Sequence, residues 1–167
     1  VLWLPYLLSY DPVARSLGLV SVRSEAGDLA QVFGLLLLVV VSTLVMLMWR
    51  VRPDGRLLIG AISGAAFAGV LIGGGEVLVV LAAILVLSGL AFVSYRSDRG
   101  LAPLVWIMVV GVSLLTFVEF VFVDDFFGPP YERMNTVFKL HYQAWTLLGI
   151  ASGPGLVLVW HRLSLAK

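Results

Sequence analysis

The sequence predicts an all-α protein: a polytopic transmembrane helix bundle with five full spans plus a truncated N-terminal helix end. Three observations predict it. Of the 167 residues, 60% are hydrophobic and only 13% are charged, where soluble domains run nearer half and a quarter. The apolar residues gather into runs close to the length of about 20 that a helix needs to cross a hydrocarbon core. The charges collect in short clusters between those runs. A globule of this size would lack the polar surface to coat itself, so residues 1–167 read as a single transmembrane domain, a fragment of a longer integral membrane protein.

The elements follow in order. "VLWLPYLLSYDP", residues 1–12, reads as the exit of a helix, because Pro5 and Pro12 oppose one straight helix. "VARSLGLVSVRSEAGD", residues 13–28, is mixed in character and reads as an interfacial loop, with Asp28 a plausible N-cap for the first span. The spans are placed at about 29–49, 57–73, 77–95, 103–123 and 136–160. In the second, Gly60, Gly64 and Gly69 fall near helical spacing, and Gly60 with Gly64 makes a small-xxx-small pair suited to close helix packing. Common small residues in any membrane helix would give the same pattern.

Orientation is read from Lys and Arg. Arg50, Arg52 and Arg56, then Arg96 and Arg99, then Arg162 and Lys167 share one side if all five runs cross. The other side has Arg15, Arg23 and Arg133. Seven against three puts loops 50–56 and 96–100 and the C-terminus in the cytoplasm of a multi-pass cell-membrane protein. Most acids fall on the opposite side: Asp11, Glu25, Asp28, Glu76, Asp124, Asp125 and Glu132.

Composition also excludes. With no cysteine there is no disulfide, thiolate metal site or thiol nucleophile. With only His141 and His161 a histidine metal site is not expected. A net charge of +1 gives no reason to expect a nucleic-acid partner, and "GGGE" lacks the Lys-Ser/Thr of a phosphate-binding loop. No metal site and no cofactor are predicted, except that the adjacent acids Asp124 and Asp125 could hold a divalent cation carrying a phosphate. Ordinary solvation of a helix end explains the same pair.

The unusual segment is "GPPYERMNTVFKLHYQAWTLLG", residues 128–149. On a helix of about 3.6 residues per turn, Glu132, Asn135, Thr136, Lys139, Tyr142, Gln143 and Thr146 lie within about 60° of one line centred on Lys139. An ammonium facing lipid at this depth costs a few kcal/mol, on the order of 3. The stripe is therefore expected to face protein, a cavity or water, with Glu119 on the preceding span as counter-ion to Lys139. Snorkelling of Lys139 to headgroups, with Tyr142 and Trp145 in an aromatic belt, is the plainer account. His141 points nearly opposite Lys139 and reads as a helix–helix contact. Arg133 is expected to pair with Asp124 or Asp125, or with a lipid phosphate.

The run "ERMNTVFKLHYQAW", preceded by "EFVFVDDFFG", resembles the YYY membrane-protein family. The matching positions are Glu119, Asp124, Arg133, Met134, Asn135, Thr136, Phe138, Lys139, Tyr142, Gln143 and Trp145, with His141 where an aromatic Tyr is common. Weaker likenesses lie in "LPYLLSY" and "RSEAGDLAQVFG". Members look like C-type glycosyltransferases, which take a sugar from a polyprenyl-phosphate donor on the outer face. The resemblance implies an enzyme segment whose catalytic acid lies ahead of residue 1, so its catalytic residue is unknown. It implies that Glu119, Asp124, Arg133, Asn135, Lys139, Tyr142, Gln143 and Trp145 bind substrate. Arg133 and Lys139 would steady the phosphate. The implied partners are membrane lipids, the polyprenyl-phosphate sugar donor and the rest of a longer chain. A transporter or flippase segment with a Glu119–Lys139 pair, or a non-catalytic structural membrane protein, are the alternatives.

Overall fold

The computed structural model describes residues 16–51, 55–71, 75–124, 128 and 131–164. The expected helix end at residues 1–12 lies outside them. Five helices carry the apolar runs: α1, Ala26–Val51; α2, Gly55–Leu71; α3, Gly75–Tyr95; α4, Leu101–Phe117; and α5, Met134–Ser164. Two short strands, β1 at Ser16–Leu19 and β2 at Val121–Asp124, pair antiparallel. The chain is therefore mostly but not wholly helical.

Local chemistry sets the boundaries. α1 starts where the Glu25 carbonyl accepts the Leu29 N–H at 3.1 Å. Asp28 is thus not the N-cap. It sits in the first turn, where a carboxylate complements the positive end of the helix. Gly75 opens α3 with φ of 63°, a conformation a side chain would strain. Asp98 starts the turn into α4: its Oδ1 accepts the N–H of Gly100 and of Leu101, each at 2.9 Å. Its carbonyl accepts the Ala102 N–H at 2.9 Å.

Five full spans are not what the fold provides. Among the described residues three helices, α1, α3 and α5, are long and apolar enough to cross a membrane. The run at 103–123 divides: α4 has 17 residues, about 26 Å of rise against a hydrocarbon core of about 30 Å. The remainder of the run turns over and becomes β2. The reason is a distant partner. Val121–Asp124 pairs with Ser16–Leu19, Ser16 opposite Asp124 and Leu19 opposite Val121, and the Val20 N–H extends the ladder to the Phe120 carbonyl. Gly18 admits the pairing, since a Cβ there would lie 2.3 Å from Cζ of the buried Phe122 ring.

α4 packs between α3 and α5, α1 lies against α5 and α3, and α2 lies on α3. Phe33, Val40 and Leu44 of α1, Leu81 of α3, Met108 and Val112 of α4 and Leu148 of α5 form the sealed core. Glycines bring helices close at two crossings, where a Cβ on Gly155 would meet Thr43 Oγ1 at 2.6 Å and one on Gly111 would meet Leu148 Cδ2 at 2.6 Å. The small-residue expectation for α2 is only partly met. Gly69 lies 3.2 Å, by its added Cβ, from the backbone of Val79, but Gly64 faces open space. The surroundings of Gly60 lie outside the described residues. The start of α1, the end of α4, the start of α5 and the sheet share one end of the bundle.

Candidate functional site

The site grows from the break after α4. Two tight turns, Glu119 N–H to the Thr116 carbonyl at 3.2 Å and Phe120 N–H to the Phe117 carbonyl at 3.0 Å, redirect the chain. They carry Glu119 inward until it is 1% exposed. A carboxylate there needs a cation and donors to offset lost hydration, and both are supplied. Ser24 donates its N–H to Oε2 at 3.0 Å and its hydroxyl to Oε1 at 2.7 Å. Arg133 Nη2 donates to Oε1 at 3.1 Å.

Arg133 binds more than the acid. Nη1 donates to the Val22 carbonyl, and Nη2 donates to the Val118 carbonyl at 3.1 Å. One guanidinium thereby joins the segment before α1, the turn after α4 and the start of α5. Beside it, the Val123 N–H donates to Oγ1 of buried Thr136 at 2.9 Å, fixing β2 to α5. Asp124 Oδ2 accepts from Ser16 Oγ at 3.2 Å.

In front of Arg133 lies a cavity of about 680 Å³ between the start of α1 and the start of α5. Val32, Phe33, Val137 and Phe138 supply apolar wall, Arg23, Ser24, Arg133 and His141 supply polarity, and Tyr142 and Trp145 also line it. The α5 lining residues Met134, Val137, Phe138, His141, Tyr142 and Trp145 share one face by their three- and four-residue spacing. His141 meets the ring of Phe33 edge-on, centroids 5.2 Å apart at 82°, which makes it a helix–helix contact as its wheel position implied. Arg133 Nε and His141 Nε2 are buried without a hydrogen-bond partner among the described residues.

Several expectations are corrected here. Glu119 pairs with Arg133, not with Lys139. Lys139 is exposed and forms no ion pair among the described residues. Arg133 takes Glu119 rather than Asp124, and Asp125 lies outside the described residues. Of the residues expected to bind substrate, Arg133, Tyr142 and Trp145 line the cavity. Glu119 holds Arg133, Asp124 belongs to the sheet, and Asn135, Lys139 and Gln143 lie away from the lining. Ser24 and Phe33 were missed. Their sequence signals were the polar Arg23-Ser24-Glu25 directly before the first span and the weaker family likeness in "RSEAGDLAQVFG", which contains both. Among the described residues no group of three or more His, Asp or Glu is arranged to hold a metal ion.

Residues 1–148 match the model of a family described as "Uncharacterized membrane protein (DUF2298)". No curated protein and no solved structure matches the chain.

Proposed function

The chain belongs to the DUF2298 family of uncharacterized membrane proteins, and from that premise we propose that its cavity seats a lipid-linked anionic substrate. The substrate is the polyprenyl-phosphate sugar donor of a C-type glycosyltransferase-like enzyme in the cell membrane. The observation that carries this reading is a single hollow with an apolar wall and cationic residues beside it. A polyprenyl phosphate joins a hydrocarbon chain to an anion and needs both. The volume is in the range of about 300–1,000 Å³ usual for small-molecule sites.

In this reading Phe33, Val137 and Phe138 take the isoprenoid, Arg133 faces the phosphate, and Tyr142 and Trp145 flank the sugar. Positive charge beside a departing phosphate stabilises the charge that develops as the glycosidic bond breaks. Glu119 is engaged by Ser24 and Arg133. Its role is to position the guanidinium, and the acid–base carboxylate is supplied from outside this site. In this reading α2 and α4 also cross, the basic residues of loops 50–56 and 96–100 and of the C-terminal segment share the cytoplasmic side, and the cavity opens on the outer side. A transport reading rested on a Glu119–Lys139 pair, and with Glu119 held by Arg133 it has no observation in its favour.

Filling the hollow tests the proposal. Val137→Trp in the full-length protein, in nanodiscs, keeps the Glu119–Arg133 pair and occupies the cavity. It is expected to weaken binding of a polyprenyl phosphate at least roughly tenfold, equivalent to about 1.4 kcal/mol, and to slow sugar transfer accordingly. Undiminished binding and transfer in a folded Val137→Trp protein would remove the cavity from the function.

A further inference from the structure

A second feature of α5 lies away from the cavity. Only 22% of its most apolar 18-residue window is buried, the least of the three span-length helices. Along the side opposite the sealed residues Ala144, Leu148 and Ala151 run Lys139, Gln143, Thr146, Ile150, Gly153 and Val157, all exposed. Their spacing of three and four residues makes one continuous line. Lys139 has no ion pair among the described residues, and the Gln143 side-chain amide makes no hydrogen bond there. Thr146 satisfies its own hydroxyl by donating to the Tyr142 carbonyl at 2.9 Å. A Cβ added to Gly153 would touch nothing within 4 Å.

We propose that this face of α5 is the docking surface for a membrane-spanning helix, outside residues 1–167, that carries an Asp or Glu level with Lys139. A lipid headgroup is the competing source of negative charge, because a lysine near a helix end can reach the interface. It answers only Lys139. Gln143 lies one turn deeper, roughly 6 Å further along the axis, where a headgroup does not follow and an amide without partners is costly. A facing helix satisfies both groups, and Gly153 lets its backbone approach closely. A second copy fits poorly: a two-fold axis along the membrane normal would set Lys139 against Lys139.

The test uses the full-length protein in its native membrane. A photoreactive benzophenone side chain replaces Gln143, and cross-linked peptides are sequenced by mass spectrometry. The expected product joins residue 143 to a hydrophobic peptide outside residues 1–167 that contains an Asp or Glu. In the purified protein Lys139→Asp then lowers the unfolding temperature by roughly 4 °C or more. Changing that peptide's acid to Lys in the same protein restores it. Cross-links to lipid alone, or to α5 of a second copy, overturn the proposal. So does a charge exchange that fails to restore stability. The cross-link is read in a protein that keeps Lys139, so the result stands even if Lys139→Asp does not fold.

Discussion

Arg133 and Lys139 stand six positions apart in one polar segment, yet the fold treats them oppositely. Arg133 is largely covered, with 17% of its side chain exposed, and bonds to the Glu119 carboxylate and to the Val22 and Val118 carbonyls. Lys139 is exposed and unpaired among the described residues. Six residues are about one and two-thirds turns, enough to rotate a side chain most of the way around the helix. A cation in a membrane helix takes its role from what reaches it. The turn after α4 reaches Arg133 with an acid, and nothing described reaches Lys139. One side of α5 is consequently a finished structural joint beside a cavity, and the other is an open surface.

The sharpest way to break the contrast is to remove the acid. Glu119→Ala leaves the Arg133 guanidinium beside Ser24 and Val118 without its counter-charge. Breaking a buried pair by removing one partner costs about 3–5 kcal/mol. The partial exposure of Arg133 puts the expectation at the lower end, about 3 kcal/mol. Thermal unfolding in detergent measures it, and a wild-type midpoint for Glu119→Ala would show that the pair does not hold the three segments together.

A smaller effect separates packed from open helix surface. A methyl on Gly155 meets Thr43 across the α1–α5 contact, whereas one on Gly64 meets nothing. Gly155→Ala is expected to cost about 1–3 kcal/mol from overpacking, and Gly64→Ala to stay within about 0.5 kcal/mol of wild type. Equal unfolding temperatures for the two variants would contradict the assigned α1–α5 crossing.

The smallest effect is at the far end of the bundle, where an acid has backbone donors in place of a cation. The N–H groups of Leu101 and Gly100 hold the Asp98 carboxyl below its ordinary value of 3.8. Because the folded value is depressed, the stabilisation is present above that ordinary value and is lost as pH falls through the folded one. Asp98→Asn should therefore unfold at a slightly lower temperature than wild type near neutral pH. The two should converge in acid below about pH 4. A difference that persists unchanged into strong acid would mean that the charge on Asp98 plays no part in starting α4.

Much of the helical framework was legible. The runs expected at 29–49, 57–73, 77–95 and 136–160 correspond to helices at Ala26–Val51, Gly55–Leu71, Gly75–Tyr95 and Met134–Ser164. Hydrophobic length is a local property, and local properties survive translation into structure. The fourth run was misread past Phe117 because "VFVD" is apolar and β-branched. A short apolar stretch of that kind does not reveal whether it continues a helix or pairs as a strand. The decision belongs to Ser16–Leu19, about a hundred residues away in the chain. The site was half legible for a similar reason. The wheel grouped polar residues of α5 but could not say which side the bundle would cover, so Tyr142 came with Lys139 and Gln143 rather than with His141, and Trp145 entered only through the family resemblance.

Composition and charge clustering by themselves determined that this is a membrane protein built on apolar helices, and that residues 119–145 concentrate its unusual polarity. Both follow from transfer of side chains between water and lipid, which each residue carries with it wherever it sits. Only the tertiary structure decided that Glu119 joins Arg133 and that a cavity opens beside them. Choosing a partner for a buried charge depends on which distant segments arrive within about 3 Å of it, and no residue encodes that distance alone.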